Sequence, residues 1–159
     1  MITCIRTDSK SEEFRYLVGQ LDAELSIRDG ANHSFYAQFN RIISLKQVVV
    51  AFESGIPVGC GALKEFSEDT LEIKRMFVLE NMRGKGIASI ILGNLEELAI
   101  ELKFTRCILE TGIKQPEAIG LYNKNGYRVI TNYGQYKDVT DSICFEKILT
   151  IKKGSSLKK

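Results

Sequence analysis

The stretch Arg83-Gly84-Lys85-Gly86 sets two glycines among two cations, just ahead of an apolar pattern (Ile87, Ile91, Leu95, Leu98, Leu102) that steps round one face of a helix. Glycine brings bare backbone close to a ligand, and the first N–H groups of a helix have no acceptor within it. Such a stretch can aim several amide donors and the positive end of a helix at a phosphate or pyrophosphate. A tight turn with solvated cations accounts for the same four residues equally well. Two phosphate-binding patterns fail on spacing. The dinucleotide fingerprint GxGxxG needs glycine where Ser89 stands, and the P-loop needs Ser or Thr where Gly86 follows Lys85.

Other residues could carry proton chemistry. Glu72 stands inside the apolar run "TLEIKRMFVL", where a carboxylate is costly unless it is paired, with Lys74 as one candidate, or solvated in a cleft. Glu110, in "ILETG", is a second carboxylate near a strand end. His33, the single histidine, sits in the loop "DGANHSFY" and reads as a solvated or capping residue ahead of a base. Tyr122, in "LYNKNGY", reads by itself as a core aromatic on a helix face. The four cysteines, Cys4, Cys60, Cys107 and Cys144, lie far apart in apolar stretches. They form no CxxC pair and fit small buried hydrophobes in a reducing compartment, and no metal site is expected.

The elements that must position these groups follow from periodicity. "TCIRT" alternates as a strand, and Phe14, Leu17, Val18, Leu21 and Leu25 recur at helical spacing behind a Ser and Glu start. "HSFYAQFNRI" predicts a shorter second helix, and two β-rich runs around "SGIP" predict a hairpin. The strand that follows slips its alternation by one residue between Ile73 and Met76, which suggests a bulge or bend. The helix after the glycines is expected to run to about Lys103, ahead of a buried strand "RCILET". "QPEAIGLYNKNGY" opens with Pro and closes at Asn125-Gly126, the punctuation of a further helix, and "YRVIT" and "SICFEKIL" are the last strands.

Arg83 to Ala88 has the form (Gln/Arg)-x-x-Gly-x-(Gly/Ala) and, behind "EIKRMFV", resembles the acyl-CoA loop of the GNAT superfamily of N-acetyltransferases. "AIGLYNKNGY", Ala118 to Tyr127, resembles that superfamily's second signature, A-x-x-LY-x-K-x-G-(F/Y). The resemblance covers about Val48 to Lys147. It implies an α+β GNAT fold: a central mixed, mostly antiparallel sheet of about six to seven strands, splayed around the cofactor, with about four helices on both faces. It implies acetyl-CoA as co-substrate, held by the amides of Arg83, Gly84, Lys85, Gly86, Ile87 and Ala88, with Ser89 adding its hydroxyl. The strand end would polarise the thioester through the backbone of Phe77 and Val78, with Met76 beside them against the cofactor. Gln115 stands where the family more often has Asn, and a longer amide could still reach the cofactor arm.

By the same resemblance Tyr122 protonates the departing sulfur and Glu72 is a base or water relay. Structural pairing and recognition of the substrate amine remain open for Glu72. Glu110 has a similar claim to the base. Asp22, Glu24, Arg28, His33 and Tyr36 belong to the acceptor side and are candidates for substrate recognition. The implied activity is transfer of an acetyl group from acetyl-CoA to a primary amine, directly and without a covalent intermediate, which agrees with the lack of a nucleophilic cysteine. A non-catalytic acyl-CoA-binding sensor is the alternative.

With 159 residues, 44% apolar and 26% charged, the chain has globular composition and the size of one domain, expected over 1–150, followed by a flexible basic tail over 151–159. Four of the 22 basic residues are lysines of that tail, so the body is slightly acidic and offers no duplex-binding face. No stretch is long and apolar enough for a membrane span, and the charged N-terminus lacks a secretory block. A cytoplasmic monomer or homodimer is expected, without nucleic-acid or membrane partners.

Overall fold

The computed structural model describes residues 1–29 and 45–150. Strands β1 (Ile2–Thr7), β2 (Gln47–Glu53), β3 (Ile56–Glu65), β4 (Thr70–Val78), β5 (Arg106–Gly112), β6 (Arg128–Ile130) and β7 (Ser142–Ile148) form a seven-stranded sheet in the order β1-β2-β3-β4-β5-β7-β6. The pairs β1/β2, β2/β3, β5/β7 and β6/β7 are antiparallel, and β4 runs parallel to β5. The described residues hold three helices, α1 (Glu12–Asp29), α2 (Ile87–Glu101) and α3 (Pro116–Lys124), so the fold is the expected mixed, mostly antiparallel class. The helix expected in "HSFYAQFNRI" and the tail 151–159 lie outside the described residues. Among those described, no helix is long and apolar enough to cross a membrane.

Local chemistry explains most boundaries. Ser11 caps α1, its Oγ accepting from the Phe14 N–H at 3.1 Å. The β2–β3 hairpin turns on Ser54 (φ 52°) and Gly55 (φ 82°), the pair of positive angles that a tight right-twisted hairpin needs. The slip read in β4 is matched by Arg75, which adopts φ 60° in mid-strand. Pairing of β4 with β5 is registered only for Thr70–Glu72 against Arg106–Ile108, although both strands continue. β7 is paired on both sides, so of the last two strands only β6 keeps an edge.

One expectation is corrected. α2 ends at Glu101 rather than near Lys103, and Leu102 is 38% exposed instead of continuing the apolar face. Lys103 takes the left-handed conformation (φ 74°), with its N–H on the Ile100 carbonyl and that of Phe104 on the Ala99 carbonyl. These are the two bonds of a Schellman stop, made here without glycine.

Packing divides the chain into two units, Met1–Lys64 with Ile73–Leu95, and Glu65–Glu72 with the chain from Glu96 on. In the first, Phe14, Leu17, Val18 and Leu21 of α1 join Val48, Val50, Cys60, Ala62 and Phe77 in one buried cluster. Gly59 and Gly61 let α2 lie against β3. A Cβ on Gly59 would come 2.8 Å from Ile91 Cδ1 and 3.0 Å from the Phe77 carbonyl oxygen, and one on Gly61 would meet Met76 Sδ at 2.7 Å and Leu95 Cδ1 at 2.8 Å. Side-chain tips can swing aside whereas a strand carbonyl cannot. Gly59→Ala is therefore expected to lower the unfolding free energy by about 1–3 kcal/mol, more than Gly61→Ala does, in urea titrations of the two variants. A smaller loss at Gly59 would mean that the end of β4 yields.

In the second unit Cys107, Ile108, Leu109 and Phe145 are buried in the β5–β7 ladder, and Glu146 bridges two arginines, accepting from Arg106 Nε at 2.8 Å and Arg128 Nε at 2.7 Å. Those bonds hold its carboxyl below the usual carboxylate range.

Candidate active site

The glycine-rich stretch lies between a short 3-10 turn, Glu80–Met82, and the start of α2. Gly84 (φ 80°) and Gly86 (φ 82°) are left-handed, and a Cβ on either would meet nothing within 4 Å. Conformation, not crowding, therefore demands glycine here, and the space beside the backbone is open. The first α2 bond runs from the Ile90 N–H to the Gly86 carbonyl at 3.1 Å. Among the described residues the N–H groups of Gly84, Lys85, Gly86, Ile87 and Ala88 have no acceptor. Ile87 is buried and anchors the end of this row of donors.

The two cations behave differently. Arg83 folds back: its Nε donates to the Val78 carbonyl at 2.8 Å, its Nη2 reaches both oxygens of Glu24 at 2.9 and 3.1 Å, and its guanidinium covers the Phe77 ring at 5.5 Å. It staples the loop to the end of β4 and to α1. Glu24, expected on the acceptor side, serves as the counter-ion of that staple. Lys85 is exposed, with Nζ 3.8 Å from Met82 Sδ.

At the end of β4, Met76 is half-buried and Phe77 and Val78 are buried. The Leu79 N–H bonds the Val58 carbonyl at 2.9 Å, closing the strand. Just upstream, the buried Arg75 donates from Nη2 to Asp22 Oδ1 at 2.6 Å, and its carbonyl accepts the Cys60 thiol at 3.4 Å.

In the second unit the "NKNGY" ending of α3 fixes Tyr122. Gly126 (φ 89°) donates to the Asn123 carbonyl and Tyr127 to the Tyr122 carbonyl, the Schellman pair, and the Tyr122 and Tyr127 rings meet edge-on at 5.7 Å as its apolar contact. Tyr127 is pinned in turn by its hydroxyl bond to Glu96 at 2.8 Å, and Phe145 packs on Tyr122 from the other side, 5.7 Å between centroids. The signature thus clamps the ring while leaving the Tyr122 hydroxyl without a hydrogen bond among the described residues. Burial, with the Glu110 charge second, pushes its pKa well above the ordinary phenol value.

Glu72 is buried and accepts from the Tyr133 hydroxyl at 2.7 Å. Tyr133 is packed by Phe66 and Tyr136 at 5.2 and 5.8 Å, and burial followed by the Glu72 charge raises its pKa, so it stays a donor. Glu110 accepts from Ser142 Oγ at 2.6 Å. Gln115 is half-buried at the head of α3, its side chain against Gly112. Arg28 falls in α1, and His33 and Tyr36 lie outside the described residues. Cys60, Cys107 and Cys144 are buried and free, and burial pushes the Cys60 and Cys107 thiols up to about 12, unlike a nucleophile.

Sequence reasoning missed Arg75, Tyr133, Tyr136 and Ser142. For the last three no local signal exists, because their carboxylate neighbours are remote in the chain. Arg75 was signalled only by the alternation slip.

A model of the acetyltransferase (GNAT) family matches residues 12–127. An IAA acetyltransferase of Azospirillum brasilense is 30% identical over 156 residues, spanning 93% of this chain and 98% of that protein. A Klebsiella pneumoniae structure, named as a candidate acyl-CoA N-acyltransferase, superposes with a TM-score of 0.79 at 28% identity over 94% of this chain and 99% of the other. A GNAT-family acetyltransferase from Elizabethkingia anophelis, solved with acetyl-CoA bound, shares the fold at a TM-score of 0.67, with 18% identity over 93% of this chain and 98% of that one. On the family match over residues 12–127 and the 30% identity across nearly the whole of a named acetyltransferase, the chain belongs to the GNAT acetyltransferase family.

Proposed function

We propose that residues 1–150 form a catalytic domain that transfers an acetyl group from acetyl-CoA to a primary amine, both substrates being bound together. The observation that carries this reading is the run of five acceptor-less amides at Gly84–Ala88, a charge-complementary cradle for a diphosphate. Arg83 holds the cradle in place, and Lys85 adds a mobile positive charge. The backbone at Phe77 and Val78 polarises the thioester carbonyl.

The acceptor amine must lose a proton and the sulfur must gain one. Glu72, oriented by Tyr133, takes the proton, directly or through water, as the amine attacks the carbonyl carbon. The C–N bond forms, the C–S bond breaks, and Tyr122 delivers its proton to the departing thiolate. The buried, high-pKa cysteines support direct transfer over an acyl-enzyme.

The test is a panel of amines assayed with acetyl-CoA, read as free thiol. Turnover with at least one amine is expected, and binding of acetyl-CoA without any turnover would favour a non-catalytic acyl-CoA sensor. With a working amine, Glu72→Gln should lower kcat by about 10²-fold. A kcat within twofold of the parent would remove Glu72 from the base role.

A further inference from the structure

Arg75 combines two features that a mere strand residue does not need. Its backbone is left-handed (φ 60°), which L side chains avoid. Its side chain is only 2% exposed, yet among the described residues Nε and Nη1 have no hydrogen-bond partner. Among the described residues the one bond of the guanidinium is from Nη2 to Asp22, whose own side chain is 54% exposed. Buried donors left unmade are destabilising, and strain and unmade bonds that coincide at one residue mark a functional position. The Arg75 side chain reaches Asp22 of α1, the helix that Phe77 also packs against. It lies two residues, roughly 7 Å of strand, before the Phe77 backbone.

We propose that Arg75 receives a carboxylate of the acceptor, so that the acetylated amine belongs to the amino-acid class of molecules. This rests on the acetyltransferase reading. A guanidinium binds a carboxylate through charge-assisted N–H bonds, and the unused Nε and Nη1 supply donors for it. Asp22 already neutralises part of the charge, which suits a monoanion rather than a dianionic phosphate. Asp22 is then the resident counter-ion beside which the acceptor's carboxylate docks.

The experiment compares α- and ω-amino acids with their carboxamides as acceptors. An α-carboxamide has the less basic amine and so more of it uncharged, which biases the comparison against the proposal. The best acid is nevertheless expected to exceed its amide at least tenfold in kcat/KM. Arg75→Gln should raise KM for the acid at least tenfold while leaving KM for the amide and the acetyl-CoA affinity within twofold, and Arg75→Lys should recover part of the loss. Should Arg75→Gln fail to fold, Asp22→Asn, at an exposed position, lowers KM for the acid alone by removing a repulsion. Amides acetylated as well as acids, or equal changes for both acceptors in either variant, overturn the inference while leaving the acetyltransferase reading in place. Absence of thiol release with every amine overturns both.

Discussion

Tyr122→Phe will lower kcat by about 10²-fold or more while acetyl-CoA binds nearly as before and the thermal midpoint does not fall. The expectation rests on what the phenol does and does not touch. Its ring is held by Tyr127 and Phe145, contacts that phenylalanine keeps, and its hydroxyl makes no hydrogen bond among the described residues, so its removal leaves no partner stranded. The raised pKa sets the pH behaviour. Folding favours the neutral phenol, so this contribution to stability is complete below the ordinary phenol pKa of about 10 and is lost only as pH climbs toward the folded value. Tyr122 therefore remains a proton donor throughout the neutral and mildly alkaline range, and the parent enzyme should show no alkaline loss of kcat from it below about pH 10. Steady-state kinetics, calorimetry with acetyl-CoA and a melting curve of the variant separate the possibilities. A kcat within twofold of the parent would assign the sulfur's proton to another group.

What could be read from the residues was what the chain encodes locally. Two glycines among cations before an apolar helix announced the left-handed loop and its open amides, because left-handed backbone and helix-end donors are properties of a few adjacent residues. The Asn125-Gly126-Tyr127 ending was equally legible, and its structural purpose is now explicit: the Schellman bonds that stop α3 press Tyr127 on Tyr122. The slip between Ile73 and Met76 betrayed a backbone irregularity but not its occupant's chemistry. The partner of Arg75 lies in a helix some 50 residues earlier, Asp22 at a separation of 53. Likewise Glu72 meets Tyr133 across 61 residues, Glu110 meets Ser142 across 32, and Glu24 meets Arg83 across 59. No periodicity encodes such pairings. The end of α2 was misjudged for a different reason: its left-handed stop is a lysine, which carries none of the signal that glycine would.

The double variant Gly84→Ala/Gly86→Ala will weaken acetyl-CoA binding by about 30- to 700-fold with little change in fold stability. Each alanine would occupy a left-handed position, at about 1–2 kcal/mol, and each factor of ten in affinity corresponds to about 1.4 kcal/mol. The added methyls meet nothing within 4 Å, so the unliganded loop escapes the strain by relaxing to ordinary dihedrals without a clash. Relaxation turns the amides of Gly84–Ala88 away from a common point, and the strain returns only when a diphosphate draws them back together. The penalty thus appears in binding rather than in folding. Lys85→Ala makes the contrast, since an exposed and mobile ammonium contributes a salt-screened attraction of about 1 kcal/mol or less, and its loss should vanish at high ionic strength whereas that of the glycine variant should persist. Calorimetric titrations of the two variants at low and high salt decide the matter. Unaltered affinity in the double alanine variant would mean that the diphosphate is held elsewhere, and the row of open amides would then need another explanation.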